Sequence, residues 1–121
     1  MPQIVHFEVT AGDVPGLAAF YGRVTGWTAE PSPFLSGYTV LAAPEGATGA
    51  VMSETYMTQK VIVWFGVASL EEAIAAVEAG GGRLAGEIAT LPGQGRLVYA
   101  ADPEGTVFGL REAEAAPLPQ A

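Results

Sequence analysis

The stretch D-P-E-G-T-V-F-G-L-R-E, Asp102 to Glu112, decides how the rest of the chain is read. Asp, Pro, Glu and Gly in succession make a tight turn. The residues after it alternate, with Val107, Gly109 and Arg111 on one side and Phe108 and Leu110 on the other, so the spacing predicts a turn feeding a strand. A weaker copy lies earlier, where Pro44-Glu45-Gly46 precedes the run 47–53, again a turn before a short strand. Two such signposts predict a chain built twice.

Working outward, each signpost closes a similar series of elements. In the first half, Gln3 to Thr10 alternates, with Val5, Phe7 and Val9 on an apolar face and Ile4, His6 and Glu8 on a partly polar one. Asp13 then stands as a helix N-cap, Pro15 fits the first turn, and Val14, Leu17, Ala18, Tyr21 and Val24 recur at helical spacing up to Gly26. Trp27 to Glu30, Tyr38 to Ala42 and Gly49 to Ser53 read as short strands between Pro and Gly breakers. In the second half, Val61 to Val67 reads as a buried strand. Ser69 and Glu72 form an S-x-x-E capping box for a helix that Gly80-Gly81-Gly82 stops. Strands are expected at Arg83 to Thr90, Arg96 to Ala101 and Thr106 to Glu112.

Each half is therefore strand, helix, three strands. Aligning the two helix caps pairs His6 with Ile62, and aligning the two turns pairs Ala50 with Gly109. A helix joining strands of one sheet must cover one face of it, and Val5, Phe7, Val9 and Val63, Phe65, Val67 are the faces suited to that. The opposite faces carry His6 and Glu8 in one half and Ile62 and Trp64 in the other. Two such curved sheets facing each other would enclose a cup.

Composition sets the outer limits. The chain has 121 residues, half of them apolar, which suits one domain with one core. Thirteen acids against five bases give a net charge of −8. Phosphate would be repelled, so neither nucleic acid nor an anionic membrane is expected as a partner, whereas a neutral or cationic ligand is easier to accommodate. With no cysteine there is no disulfide, thiolate metal site or cysteine nucleophile. The start lacks a basic, apolar leader and no segment is long and apolar enough for a membrane span, so the expected location is the cytoplasm. The last residues, 115–121, are expected to be a disordered tail.

In this frame the sequence resembles the vicinal-oxygen-chelate superfamily of glyoxalases, bleomycin-resistance proteins and ring-cleaving dioxygenases. The resemblance is carried by H-F-E-V-T-A-G-D-V from His6, A-A-F-Y at 18–21, G-W at 26–27 and V-A-S-L-E-E-A at the second helix. A-G-G-G-R at 79–83, G-Q-G-R at 93–96 and D-P-E-G-T-V-F-G-L at 102–110 complete it. It implies an α+β fold of two tandem βαβββ modules, about 1–57 and 58–114, forming a curved, cup-like mixed sheet with helices outside. One domain would cover 1–114, and a homodimer is implied as well.

The family's usual chemistry implies a divalent metal held by side chains on the first and last strand of each module. Those positions fall on His6, Ile62, Ala50 and Gly109. Only His6 can donate to a metal, and one imidazole with three alkyl or absent side chains does not make a site. The expectation is thus a small-molecule binder without metal or other cofactor. Its ligand pocket would draw on His6, Glu8, Met52, Ile62, Trp64, Gly109 and Arg111, with Trp64 stacking and Glu8 orienting the ligand.

The alternative is a metal-dependent lyase, isomerase or dioxygenase with an altered ligand set from His6, Glu8 and either Glu54 or a partner chain. A third reading is an interaction module whose cup is filled by its own side chains. His6 and Glu8, two apart on one strand, form a proton-handling pair, and the plain reading is a hydrogen-bonded wall residue for His6 alone and, for the pair, a solvated strand edge or a salt bridge from Glu8 to Lys60.

Overall fold

The computed structural model describes residues 2–43 and 48–113. The turn at Pro44-Glu45-Gly46 and the expected tail lie outside them. Among the described residues nine strands and two helices follow in the order β1 (Gln3–Ala11), α1 (Val14–Thr25), β2 (Thr28–Pro31), β3 (Tyr38–Ala42), β4 (Thr48–Ser53), β5 (Val61–Val67), α2 (Leu70–Ala79), β6 (Arg83–Leu84), β7 (Ala89–Leu91), β8 (Gly95–Ala101) and β9 (Val107–Glu112). The class is α+β, as the resemblance implies. The chain divides into two compact units, Ile4–Val63 and Trp64 onward, the latter also taking in the residues before Ile4.

In the first unit the strands lie in the order β2-β3-β4-β1, with β1 and β4 parallel and the other neighbours antiparallel. Helix α1 forms where the sequence marks its ends. Asp13 Oδ1 accepts the Gly16 N–H at 3.0 Å, and Gly26, in the left-handed region at φ 77°, donates to Gly22 O at 2.8 Å. Its apolar stripe covers the Phe7 face of β1. Ala11, Ala18, Leu41 and Val51 are buried there with Phe7, Val14, Leu17, Tyr21 and Trp27 packed around them. A β-carbon on Gly49 would come within 2.3 Å of the Phe7 ring, so glycine is what admits the phenyl group against β4.

The second unit follows the same plan, in the order β5-β9-β8-β6 with β7 also on β8, and with its first and last strands, β5 and β9, parallel. Leu70 of α2 is buried with Val98 and Leu110 of the sheet, and Val67, Ile74, Val77 and Phe108 pack around them. Full burial of a leucine such as Leu70 stabilises by about 2–3 kcal/mol. The start of α2 is fastened twice: Ser69 Oγ accepts the Glu72 N–H, and Glu112 at the end of β9 accepts the Leu70 N–H at 2.7 Å. Arg96 ties the same corner together, bonding Glu71 at 2.6 Å and Glu112 at 2.8 Å.

One expected strand is two. The run Arg83 to Thr90 breaks into β6 and β7, because Leu84 pairs with Ala100 and Ala89 with Leu97. The chain takes more residues over that interval than β8 offers, and the surplus bulges out around Gly86.

Candidate functional site

The polar face of β1 carries a chain of hydrogen bonds. Alternation puts His6, Glu8 and Thr10 on the side away from α1, and the parallel register sets His6 opposite Thr48, Glu8 opposite Ala50 and Thr10 opposite Met52. Tyr38 lies one strand further out, on β3, opposite Met52. Its hydroxyl nonetheless reaches β1, past a β4 that offers only a methyl group at Ala50. Tyr38 Oη donates to Glu8 Oε2 at 2.6 Å and lies 2.9 Å from His6 Nε2, while His6 Nδ1 is 2.7 Å from Thr48 Oγ1. The planes of the imidazole and phenol rings are nearly parallel, 17° apart.

Glu8 is 2 % exposed, so its carboxylate depends on such partners in place of water. His6, Tyr38 and Thr48 are half-buried. This arrangement can orient an imidazole, hold a negative charge beneath it and pass a proton along hydroxyls. The His6–Glu8 pair read from the sequence is joined through Tyr38. Neither Tyr38 nor Thr48 was among the expected site residues. The signals for them were present: Tyr38 opens an alternating strand, and a parallel first-to-last pairing brings the start of β4 to His6. Ala50 and Gly109, paired when the two turns are aligned, occupy corresponding places, each beside its unit's first strand, opposite Glu8 and Trp64.

In the second unit Gly109 pairs with Trp64 on one side and Tyr99 on the other. The two rings meet above it, 4.7 Å between centroids, and a β-carbon at 109 would come within 1.9 Å of the indole. Arg111, two residues on, donates to Gln94 Oε1 at 3.2 Å. Trp64 is buried, as are Met52 and Ile62 of the first unit.

The residues at the four positions the resemblance assigns to a metal do not fit one. Position 6 is an imidazole engaged by Thr48 and Tyr38, 50 and 62 are buried alkyl groups, and 109 has no side chain and no room for one. A divalent cation needs several nitrogen or oxygen donors converging on one point. Among the described residues no three His, Cys, Asp or Glu side chains converge in that way. Glu54, named in the altered ligand set, sits beside Gly12 just beyond β1, and six extended residues from His6 to Gly12 span about 20 Å.

A shallow, open cleft of about 400 Å³ lies elsewhere in the first unit, lined by Thr10, Gly12, Leu17, Phe20 and Lys60 among others. It contains none of the residues expected to line a pocket. Among the described residues no helix is long and apolar enough to cross a membrane.

Comparison with known proteins gives consistent results. A family described as "glyoxalase-like domain" matches residues 5–111. The candidate glyoxylase CFP32 of Mycobacterium bovis, and the protein of that name in Mycobacterium tuberculosis, are 32% identical to this chain over 113 residues. The match takes in 89% of this chain and 42% of theirs, so the chain spans less than half the length of those relatives. Among solved structures, methylmalonyl-CoA epimerase from Mycobacterium tuberculosis is similar at TM-score 0.69 and 17% identity, covering 93% of this chain and 88% of that one. A glyoxalase/bleomycin resistance protein/dioxygenase superfamily member from Vibrio splendidus 12B01 is similar at TM-score 0.67 and 17% identity, covering 93% and 99%. At such identities these two likenesses speak for the fold.

Proposed function

The chain belongs to the glyoxalase-like domain family, and from that premise we propose that it binds a small organic molecule against the sheet face carrying His6, Tyr38 and Glu8, without a catalytic metal. The observation that carries this reading is the bonded series Thr48, His6, Tyr38, Glu8 on a face whose neighbouring positions are Ala50 and Met52. A few placed polar groups on an apolar wall are the usual make-up of a small-molecule site. The missing donors at 50, 62 and 109 support the metal-free half of the proposal.

The test is elemental analysis of protein purified without added metal, followed by a thermal-shift screen of small organic molecules with wild type and His6→Ala. Metal below stoichiometric amounts, an unchanged Tm in chelator and ligand shifts that His6→Ala abolishes are expected. A stoichiometric transition metal that disappears in His6→Ala overturns the proposal.

A second reading, a metal-dependent lyase, isomerase or dioxygenase using His6 and Glu8, is favoured by the name that the CFP32 proteins carry. It requires further donors from outside the described residues or from a partner chain. Homodimerisation, an expectation from the family that light scattering would test, and a cytoplasmic location, an expectation from the sequence, belong to the proposal.

A further inference from the structure

The hydrogen bonds around His6 have a direction, and that direction bears on what the site can recognise. A tyrosine hydroxyl has one hydrogen, and Tyr38 gives it to Glu8. The contact between Tyr38 Oη and His6 Nε2 at 2.9 Å is then a hydrogen bond only if Nε2 carries the proton. A neutral imidazole protonated at Nε2 has a bare Nδ1, and Thr48, 2.7 Å away, must be the donor there. The series thus runs one way, from half-buried Thr48 inward to buried Glu8. Its outer oxygen, Thr48 Oγ1, has spent its hydrogen on His6 and retains acceptor lone pairs.

We propose that Glu8, acting through Tyr38 as a positioning residue, fixes His6 as the Nε2–H tautomer, so that the site offers acceptors to its ligand at Thr48 and selects a hydrogen-bond donor over a carboxylate. A planar amidine or an ammonium group has that chemistry, and the net charge of −8 favours it as well. The ligand class rests on the proposed binding function. The tautomer does not, which keeps the two separable.

His6 is the chain's single histidine, so long-range 1H–15N correlation spectra of the labelled full chain, taken where the ring is neutral, report it without ambiguity. Wild type is expected to show one tautomer, protonated at Nε2. Tyr38→Phe removes the partner of Nε2, and Glu8→Gln frees the tyrosine hydroxyl to turn around, so each variant is expected to show a mixture. A wild-type ring protonated at Nδ1, a wild-type mixture, or two variants that retain the pure Nε2–H form would overturn the assignment.

Two probes of matching shape test the ligand class: benzamidine is expected to shift the His6 ring and Thr48 amide signals and benzoate to leave them in place. Shifts from benzoate, or from neither probe, overturn the ligand class while leaving the tautomer result standing. A failed tautomer test with a positive ligand screen would leave the binding function intact.

Discussion

The indole of Trp64 lies over the α-carbon of Gly109, in the space that any side chain at 109 would occupy. Position 109 is where the family resemblance puts a metal-binding carboxylate. A ring and any side chain at 109 would compete for one volume between β5 and β9, so glycine there is a packing requirement.

Gly109→Ala is expected to destabilise by about 1–3 kcal/mol, the usual cost of forcing extra volume into a packed interior. In a Trp64→Ala background the same substitution should cost much less, because the clash is gone. Urea unfolding of the four proteins in the cycle measures the coupling directly, and additive effects would mean that the ring and the α-carbon are not in contact.

Tyr38→Phe removes the hydroxyl that joins His6 to Glu8 while leaving the ring. A buried carboxylate then loses a donor, so the expected loss is about 1–3 kcal/mol. In a Glu8→Gln background the loss should fall, because the group left short of a donor is no longer charged. Chemical denaturation of the single and double variants checks this.

Acid is expected to loosen the corner where α2 meets β9. Glu112 is held below its ordinary 4.5 chiefly by the Leu70 N–H and then by Arg96, and Glu71 chiefly by its bonds to Arg96. A carboxylate depressed in the folded state stabilises it above the unfolded value, and that contribution is lost as pH falls through the folded one. Tm should therefore fall more steeply below about pH 4.5 in wild type than in Glu112→Gln, as a series of thermal melts would show. Arg96, pushed above its already high value mainly by Glu71 and then by Glu112, stays charged throughout.

The helix caps offer a comparison of like with like. Asp13→Ala and Ser69→Ala each delete one side-chain acceptor at a helix start, at about 1 kcal/mol apiece. The start of α2 retains the Glu112 carboxylate on Leu70, so Ser69→Ala is expected to fray its helix less than Asp13→Ala frays α1. Hydrogen exchange of the first-turn amides distinguishes the two.

Local chemistry in the sequence sufficed for the elements except over 83–90, where one expected strand is β6 and β7. Asp13, Ser69, Gly26 and the run Gly80-Gly81-Gly82 bound the helices, the period-two runs mark the strands, and the recurrence of strand, helix and three strands marks the duplication. Such signals act over a few residues and can be read along the chain. What the strands place side by side acts between residues far apart in it. Tyr38 and Thr48 stand 32 and 42 positions from His6, and only the parallel pairing of β1 with β4, with β3 beyond, brings their hydroxyls to its ring. The same holds for Gly109, whose missing side chain reads in sequence as a lost ligand and in the folded protein as the seat of an indole. Alternation fixes which face a side chain takes, whereas its neighbour on that face is set by strand register, and register is a property of the assembled sheet.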